Sequence, residues 1–121
     1  MKTILVVEDE KTLSDIISEK LREEGYAAEN AYDGEEAVAF FKNKKKADLI
    51  LLDILLPKKD GFTVLQEIND MGVRVPVIVF SNFLHDEEED KARELGAKDF
   101  LVKAAFSTAE VITKIKEVLG D

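Results

Sequence analysis

The sequence predicts an α/β fold of five strand–helix units, (βα)5, with a doubly wound parallel sheet and helices on both faces. Three observations predict it. Short unbroken apolar runs (ILVV at 4–7, LILL at 49–52, VIVF at 77–80 and FLV at 100–102) have the length and composition of strands buried on both faces. Stretches with apolar residues at helical spacing separate these runs. Each run also ends in polar residues of a distinct kind: Glu8-Asp9, Asp53, Ser81-Asn82 and Lys103. In an open parallel sheet, ligands sit beyond the carboxyl ends of the strands.

The elements follow in order. Leu13, Ile16, Ile17 and Leu21 repeat at helical spacing after the first run, and Gly25 ends that helix. Residues 27–31 mix alanines with Glu29 and Asn30, which suits an edge strand. Asp33-Gly34 opens a second helix carrying Ala37, Phe40 and Phe41, with Asp33 as its N-cap. The third follows Gly61 with Val64, Leu65 and Ile68 and stops near Gly72. The fourth, at 86–95, has a thin apolar face of Leu84, Ala92 and Leu95, so packing holds it weakly and it is free to move. The fifth starts from the capping box Ser107-Thr108-Ala109-Glu110 and continues through Val111, Ile112, Ile115, Val118 and Leu119. Right-handed crossovers leave few topologies. With the polar strand at an edge and the three most apolar strands inside, the expected order is 2-1-3-4-5.

Composition limits the function. A chain of 121 residues is expected to form one domain, residues 1–121, with no linker, repeat or second module. The absence of cysteine excludes disulfides, thiolate metal sites and cysteine nucleophiles. No apolar run approaches the ~18 residues of a membrane span, and no signal-peptide pattern opens the chain. A cytoplasmic protein is expected. The net charge of −9 argues against direct nucleic-acid binding, which needs a basic footprint. The one basic run, at 44–46, reads as a helix C-terminus complementing its dipole. The acidic run at 86–90 reads as a solvated face, and His85, the only histidine, as a solvated loop residue.

Converging strand ends would bring three acids, a hydroxyl and an ammonium into one crevice. Three carboxylates repel each other, which makes the crevice a poor place for a further dianion. Mg²⁺ offsets that repulsion and bridges carboxylates to phosphate oxygens. An Asp carboxylate attacking phosphorus gives an acyl phosphate, and Lys103 would stabilise charge on the transferring group. Taken singly, each residue has a plainer reading. Asp53 could cap the turn into the next helix, and Glu8 or Asp9 the helix at Lys11. Ser81 could be a turn residue, Lys103 a surface lysine and Phe100 a core aromatic.

The motifs VVEDE at 6–10, LLDILLPKKDG at 51–61, FSN at 80–82 and GAKDFLVK at 96–103 occur in this order and spacing over essentially the whole chain. Together they resemble the receiver domain of bacterial two-component response regulators, a flavodoxin-like fold. The resemblance implies that Asp53 accepts a phosphoryl group from a histidine kinase or a histidine phosphotransfer protein. It implies that Glu8, Asp9 and Asp53 hold Mg²⁺, with the backbone carbonyl of Leu55 completing the set. Ser81 matches the hydroxyl that hydrogen-bonds the phosphoryl group, Lys103 the ammonium that pairs with it, and Phe100 the aromatic whose rotamer follows phosphorylation. A downstream protein target would be met by the fourth helix, the fifth strand and the fifth helix.

Two features depart from that family. Ala104 follows Lys103, where the family usually has proline with a cis bond. Before alanine a cis bond costs about 2.5–4 kcal/mol, so a trans bond and a shifted path from Lys103 to Ser107 are expected. The stretch at 104–106 is then either partner-contact surface or a place where Phe106 tucks into the core. Leu55 and Phe83, two residues beyond Asp53 and Ser81, border the path of the hydrolytic water in the family. Both are bulky and apolar here, and neither can orient a water, which predicts slow hydrolysis of phospho-Asp53.

The expected function is therefore a phosphorylation-driven switch rather than an enzyme, beyond catalysing its own phosphorylation and dephosphorylation. Two alternatives stand beside it. One is a divergent receiver acting as a phosphorylation-independent interaction module, favoured if Ala104 misplaces Lys103. The other is a flavodoxin-type cofactor binder or small hydrolase, opposed by the acids at 8–10, which would repel a cofactor phosphate.

Overall fold

The structure, a computed structural model, describes residues 1–82 and 85–121. Among these residues five strands alternate with five α-helices. They are β1 (Thr3–Val7), α1 (Lys11–Glu23), β2 (Ala27–Ala31), α2 (Gly34–Lys42) and β3 (Leu49–Leu52), then α3 (Gly61–Asp70), β4 (Val77–Phe80), α4 (Asp86–Glu94), β5 (Asp99–Leu101) and α5 (Thr108–Leu119). All pairings are parallel, and the order is β2-β1-β3-β4-β5, as the pattern of polar and apolar runs predicts.

Strand alternation sorts the core into two layers. Leu5, Val7, Ile50, Leu52, Val77 and Val79 face one side and pack with residues of α2, α3 and α4. Ile4, Val6, Leu49, Leu51, Ile78 and Phe80 face the other and pack with Ile17 and Leu21 of α1 and Val111, Ile112 and Ile115 of α5. Both sheet faces are thus covered, so β1, β3 and β4 need unbroken apolar runs. Strand β2 lies at an edge and uses polar glue instead. The Asn30 amide nitrogen donates to Ser14 Oγ at 2.6 Å and Ser18 Oγ at 2.8 Å, both serines being buried on α1.

The helix ends obey local chemistry. Asp33 accepts the Glu36 N–H, Asp60 accepts the Thr63 N–H, and Ser107 with Glu110 forms the reciprocal capping box. Among its described residues, α4 buries only Ala92. It is tied instead by the Asn69 amide to the Leu95 carbonyl at 2.7 Å, and by Lys91 and Arg93 over the rings of Phe62 and Phe100. Leu84, which the sequence places on its apolar face, lies outside the described residues.

Two details correct the sequence reading, and a third decides between its options. Strand β5 covers Asp99–Leu101 rather than 100–102, because its ladder with β4 ends at the Phe80–Leu101 pair and Val102 turns outward, 39% exposed. The basic run at 44–46 lies past the end of α2, where Lys44 takes φ 66° and only Lys42 occupies the last turn. Of the two options for 104–106, Phe106 packs half-buried against the α1–α5 layer, while Ala104 and Ala105 stay exposed.

Candidate functional site

The site lies at the carboxyl ends of β1, β3, β4 and β5. β1 delivers Glu8, which is buried, and Asp9, which is exposed. The Glu8 N–H donates to the Ala31 carbonyl at 3.0 Å, so β1–β2 pairing continues one step past the strand and fixes where Glu8 points. Its Oε2 accepts the Glu10 N–H at 3.1 Å at the start of α1. β3 delivers Asp53, also buried, whose N–H donates to the Val7 carbonyl at 3.1 Å and whose Oδ1 accepts the Leu55 N–H at 3.2 Å. Glu8, Asp9 and Asp53 each offer a carboxylate oxygen within 4.8 Å of the others.

Lys103 enters from beyond β5. Its Nζ lies 2.6 Å from Asp53 Oδ2 and 2.6 Å from Glu8 Oε1, with the side chain only 16% exposed. The Lys103–Ala104 peptide is trans, and residues Lys103–Ala105 form a 3₁₀ turn. The altered loop therefore still brings the ammonium to the acids. Ser81 follows β4 directly, 1% exposed, with its N–H on the Leu101 carbonyl and its own carbonyl accepting from Lys103 N–H. Phe100 sits on the opposite sheet face from Leu101, half-buried against α4, with the Arg93 guanidinium 4.7 Å above its ring. Leu55 is 57% exposed beside Asp53. Phe83 lies outside the described residues.

Electrostatics follow from burial and pairing. Burial raises the Glu8 carboxyl above its ordinary range, against the lowering effect of its bonds with Lys103 and the Glu10 N–H. Burial alone would lower Lys103, but its hydrogen bonds and charge contacts with Asp53 and Glu8 together outweigh that and raise it. The lysine stays an ammonium. One ammonium against three carboxylates leaves the crevice acidic, and its oxygen donors fit a hard divalent cation such as Mg²⁺.

Two supports were not legible as site features in the sequence. Gly61 packs so tightly behind Asp53 that a Cβ on it would stand 2.7 Å from the Asp53 carbonyl oxygen. Asn82, which the sequence marks as a strand-end polar residue without a role of its own, accepts the Ala104 N–H on its Oδ1 at 2.9 Å. The available signal was Ala104 itself, since any residue but proline there presents an N–H that needs an acceptor.

Comparison with known proteins agrees with the geometry. The family model for the response regulator receiver domain matches residues 4–116. A CheY-like receiver domain protein from Methanospirillum hungatei superposes with a TM-score of 0.92 at 28% identity, over 99% of this chain and 94% of that one. A Francisella response regulator receiver domain gives 0.86 at 29% identity, over 96% and 94%. The response regulator TrrA from Thermotoga maritima, solved in complex with Mg²⁺ and BeF, gives 0.82 at 33% identity, over 97% and 98%. With this order of strands and an acidic crevice suited to Mg²⁺ at their ends, the chain belongs to the receiver domain family of two-component response regulators.

Proposed function

We propose that residues 1–121 form one receiver domain that works as a phosphoacceptor switch, with Asp53 as the acceptor. The observation that carries the reading is the double contact of Lys103 with Asp53 and Glu8, each at 2.6 Å. It favours the switch over the phosphorylation-independent module, whose case depended on a misplaced lysine.

In the proposed reaction the Asp53 carboxylate attacks the phosphorus of a phosphohistidine on a histidine kinase or histidine phosphotransfer protein. A P–O bond forms as the P–N bond breaks, and the imidazole leaves with a proton. The Lys103 ammonium and the Ser81 hydroxyl meet the phosphoryl oxygens, where charge is spread in the transition state. Glu8, Asp9 and Asp53, with the Leu55 carbonyl, would hold Mg²⁺. When bound, that ion offsets the repulsion between carboxylates and phosphoryl oxygens.

The switch runs through β4 and β5. Ser81 is drawn to the phosphoryl group, and Phe100 rotates into the space it leaves. The α4–β5–α5 face then presents a changed surface to a protein target. The equilibrium shifts only because Ser81 and Lys103 bond phosphoryl oxygens in one state and not in the other. Water returns Asp53 to its free form, slowly, because Leu55 is apolar and cannot orient it. Beyond this self-directed chemistry the domain is not an enzyme. Among the described residues no helix is long and apolar enough to cross a membrane, and a cytoplasmic site of action beside the kinase fits that.

Intact-mass measurement after incubation with acetyl phosphate tests the reading. A phosphoryl adduct that needs Mg²⁺ and is absent from Asp53→Asn is expected. A folded, Mg²⁺-binding wild type that gains no adduct would sink it.

A further inference from the structure

Strand β5 ends at Leu101, and the chain crosses the site through Val102 into the 3₁₀ turn Lys103–Ala105. Three N–H groups define that turn. Ala105 N–H closes it on the Val102 carbonyl at 3.0 Å. The other two go to the end of β4. Lys103 N–H donates to the Ser81 carbonyl at 3.3 Å, and Ala104 N–H donates to Asn82 Oδ1 at 2.9 Å. The Asn82 bond joins residues 22 apart, so it ties two separate segments together rather than completing a local turn. A backbone N–H accepts nothing, which fixes the amide's oxygen, not its nitrogen, toward Ala104.

Lysine has a long, rotamer-rich side chain, so the position of its ammonium depends strongly on where its backbone is anchored. Here the anchor is short on one side. β5 has only three residues and its ladder has already ended. We infer that Asn82 is a positioning residue for Lys103: by holding the Ala104 N–H, it fixes the turn from which the ammonium reaches Asp53. The inference rests on the proposed phosphoacceptor role of Asp53. Asn82 is exposed, so its hydrogen bond adds little to the stability of the fold. A small displacement of the ammonium, by contrast, matters greatly to phosphoryl transfer.

The test measures initial phosphorylation by acetyl phosphate at saturating Mg²⁺, by intact mass, with urea unfolding as a check on the fold. Asn82→Ala is expected to slow the wild-type rate about five- to tenfold, because the ammonium is displaced from the phosphoryl oxygens. The same substitution should change nothing in a Lys103→Ala background, where the group it positions is gone. It should also change nothing beside Ala104→Pro, where the donor is gone. Equal slowing with and without Lys103 would overturn the inference.

A second readout needs no phosphodonor. The Lys103 side-chain NMR signals should be those of a held ammonium in the wild type and move toward free-lysine values in Asn82→Ala. Unmoved signals would also overturn it. A wild type that takes no phosphoryl group while Asn82→Ala still loosens Lys103 would support this inference and sink only the phosphoacceptor reading.

Discussion

A Cβ on Gly34 would stand 2.1 Å from the carbonyl oxygen of Lys59 and 2.5 Å from its Cβ. The start of α2 and the loop from β3 to α3 therefore touch backbone to backbone. The Gly34 N–H donates to the Pro57 carbonyl at 3.2 Å, and Lys58 Nζ stands 3.5 Å from Asp33. This contact braces the loop that carries Asp53 and Leu55. Gly34→Ala would gain up to about 1 kcal/mol in helix propensity, but the overlap involves backbone and cannot be relieved by a rotamer. A net loss of about 1–3 kcal/mol is expected, as for overpacking elsewhere. Urea unfolding should show a lower midpoint at unchanged slope, and an unaltered midpoint would refute the clash.

Arg93 and Phe100 couple α4 to β5 through a cation–π contact of 4.7 Å. Such contacts at exposed sites contribute about 0.5–1 kcal/mol, and α4 has little apolar packing to compensate. Arg93→Ala should speed amide exchange within α4 by about two- to fivefold, the same energy expressed as a ratio. Arg93 also pairs with Glu89 at 3.0 Å. That exposed pair is worth little, so Glu89→Gln serves as the control and should leave exchange near wild type. Equal effects from both variants would assign the coupling to the ion pair instead.

Leu55 governs the lifetime of phospho-Asp53 in the proposed cycle. The residue is 57% exposed beside Asp53, and its side chain offers no hydrogen-bonding group to water. Leu55→Asn supplies one within the same loop. Faster loss of the acyl phosphate, followed by intact mass after removal of the phosphodonor, is the expected result. An unchanged decay would remove Leu55 from any role in hydrolysis. The companion substitution Phe83→Glu acts in the same direction under this reading.

Tyr26 sets an alkaline limit on stability. Its hydroxyl donates to Asp121 Oδ2 at 2.8 Å, and burial, that bond and the charges of Asp121 and Glu24 push the phenol up to about 12. The folded value lies above the ordinary 10, so the folded state holds the proton longer than the unfolded state. The stability from this group is complete below pH about 10 and is lost as pH rises toward about 12. Asp121 moves the other way. The bonds from Lys2 and Tyr26 hold its carboxyl below the usual range, so its contribution is present at neutral pH and lost in acid. Tyr26→Phe should flatten the alkaline fall in unfolding free energy, measured by urea at a series of pH values. A variant that falls as steeply as wild type would disprove the assignment.

The predicted elements agree closely with the observed ones because each carries its own local signal. Buried parallel strands need unbroken apolar runs, and Asp33 and the Ser107–Glu110 box state their helix starts within four residues. The end of β5 was misplaced by one residue because Val102 is as apolar as its neighbours. Only the pairing with β4 shows that the ladder has stopped. The weak hold on α4 was visible in its composition, but the contacts that tie it down were not, since the partners Phe62, Asn69 and Phe100 lie on other elements.

The sequence by itself determined that Glu8, Asp9, Asp53, Ser81 and Lys103 follow apolar strand runs and would share one edge of the sheet, although it set the end of β5 one residue late. Their side chemistry was legible because the first polar residues after a buried apolar run lie at the sheet's carboxyl edge. The tertiary structure decided what those residues do to one another. Lys103 leaves β5, yet its ammonium reaches across β4 to the acids of β3 and β1, since parallel strands stand about 4.8 Å apart. Whether it could do so past Ala104 depended on the path of a turn held by Asn82, and the brace of Gly34 on Lys59 depended on two loops meeting. Such distances arise between segments far apart in the chain, and no local pattern encodes them.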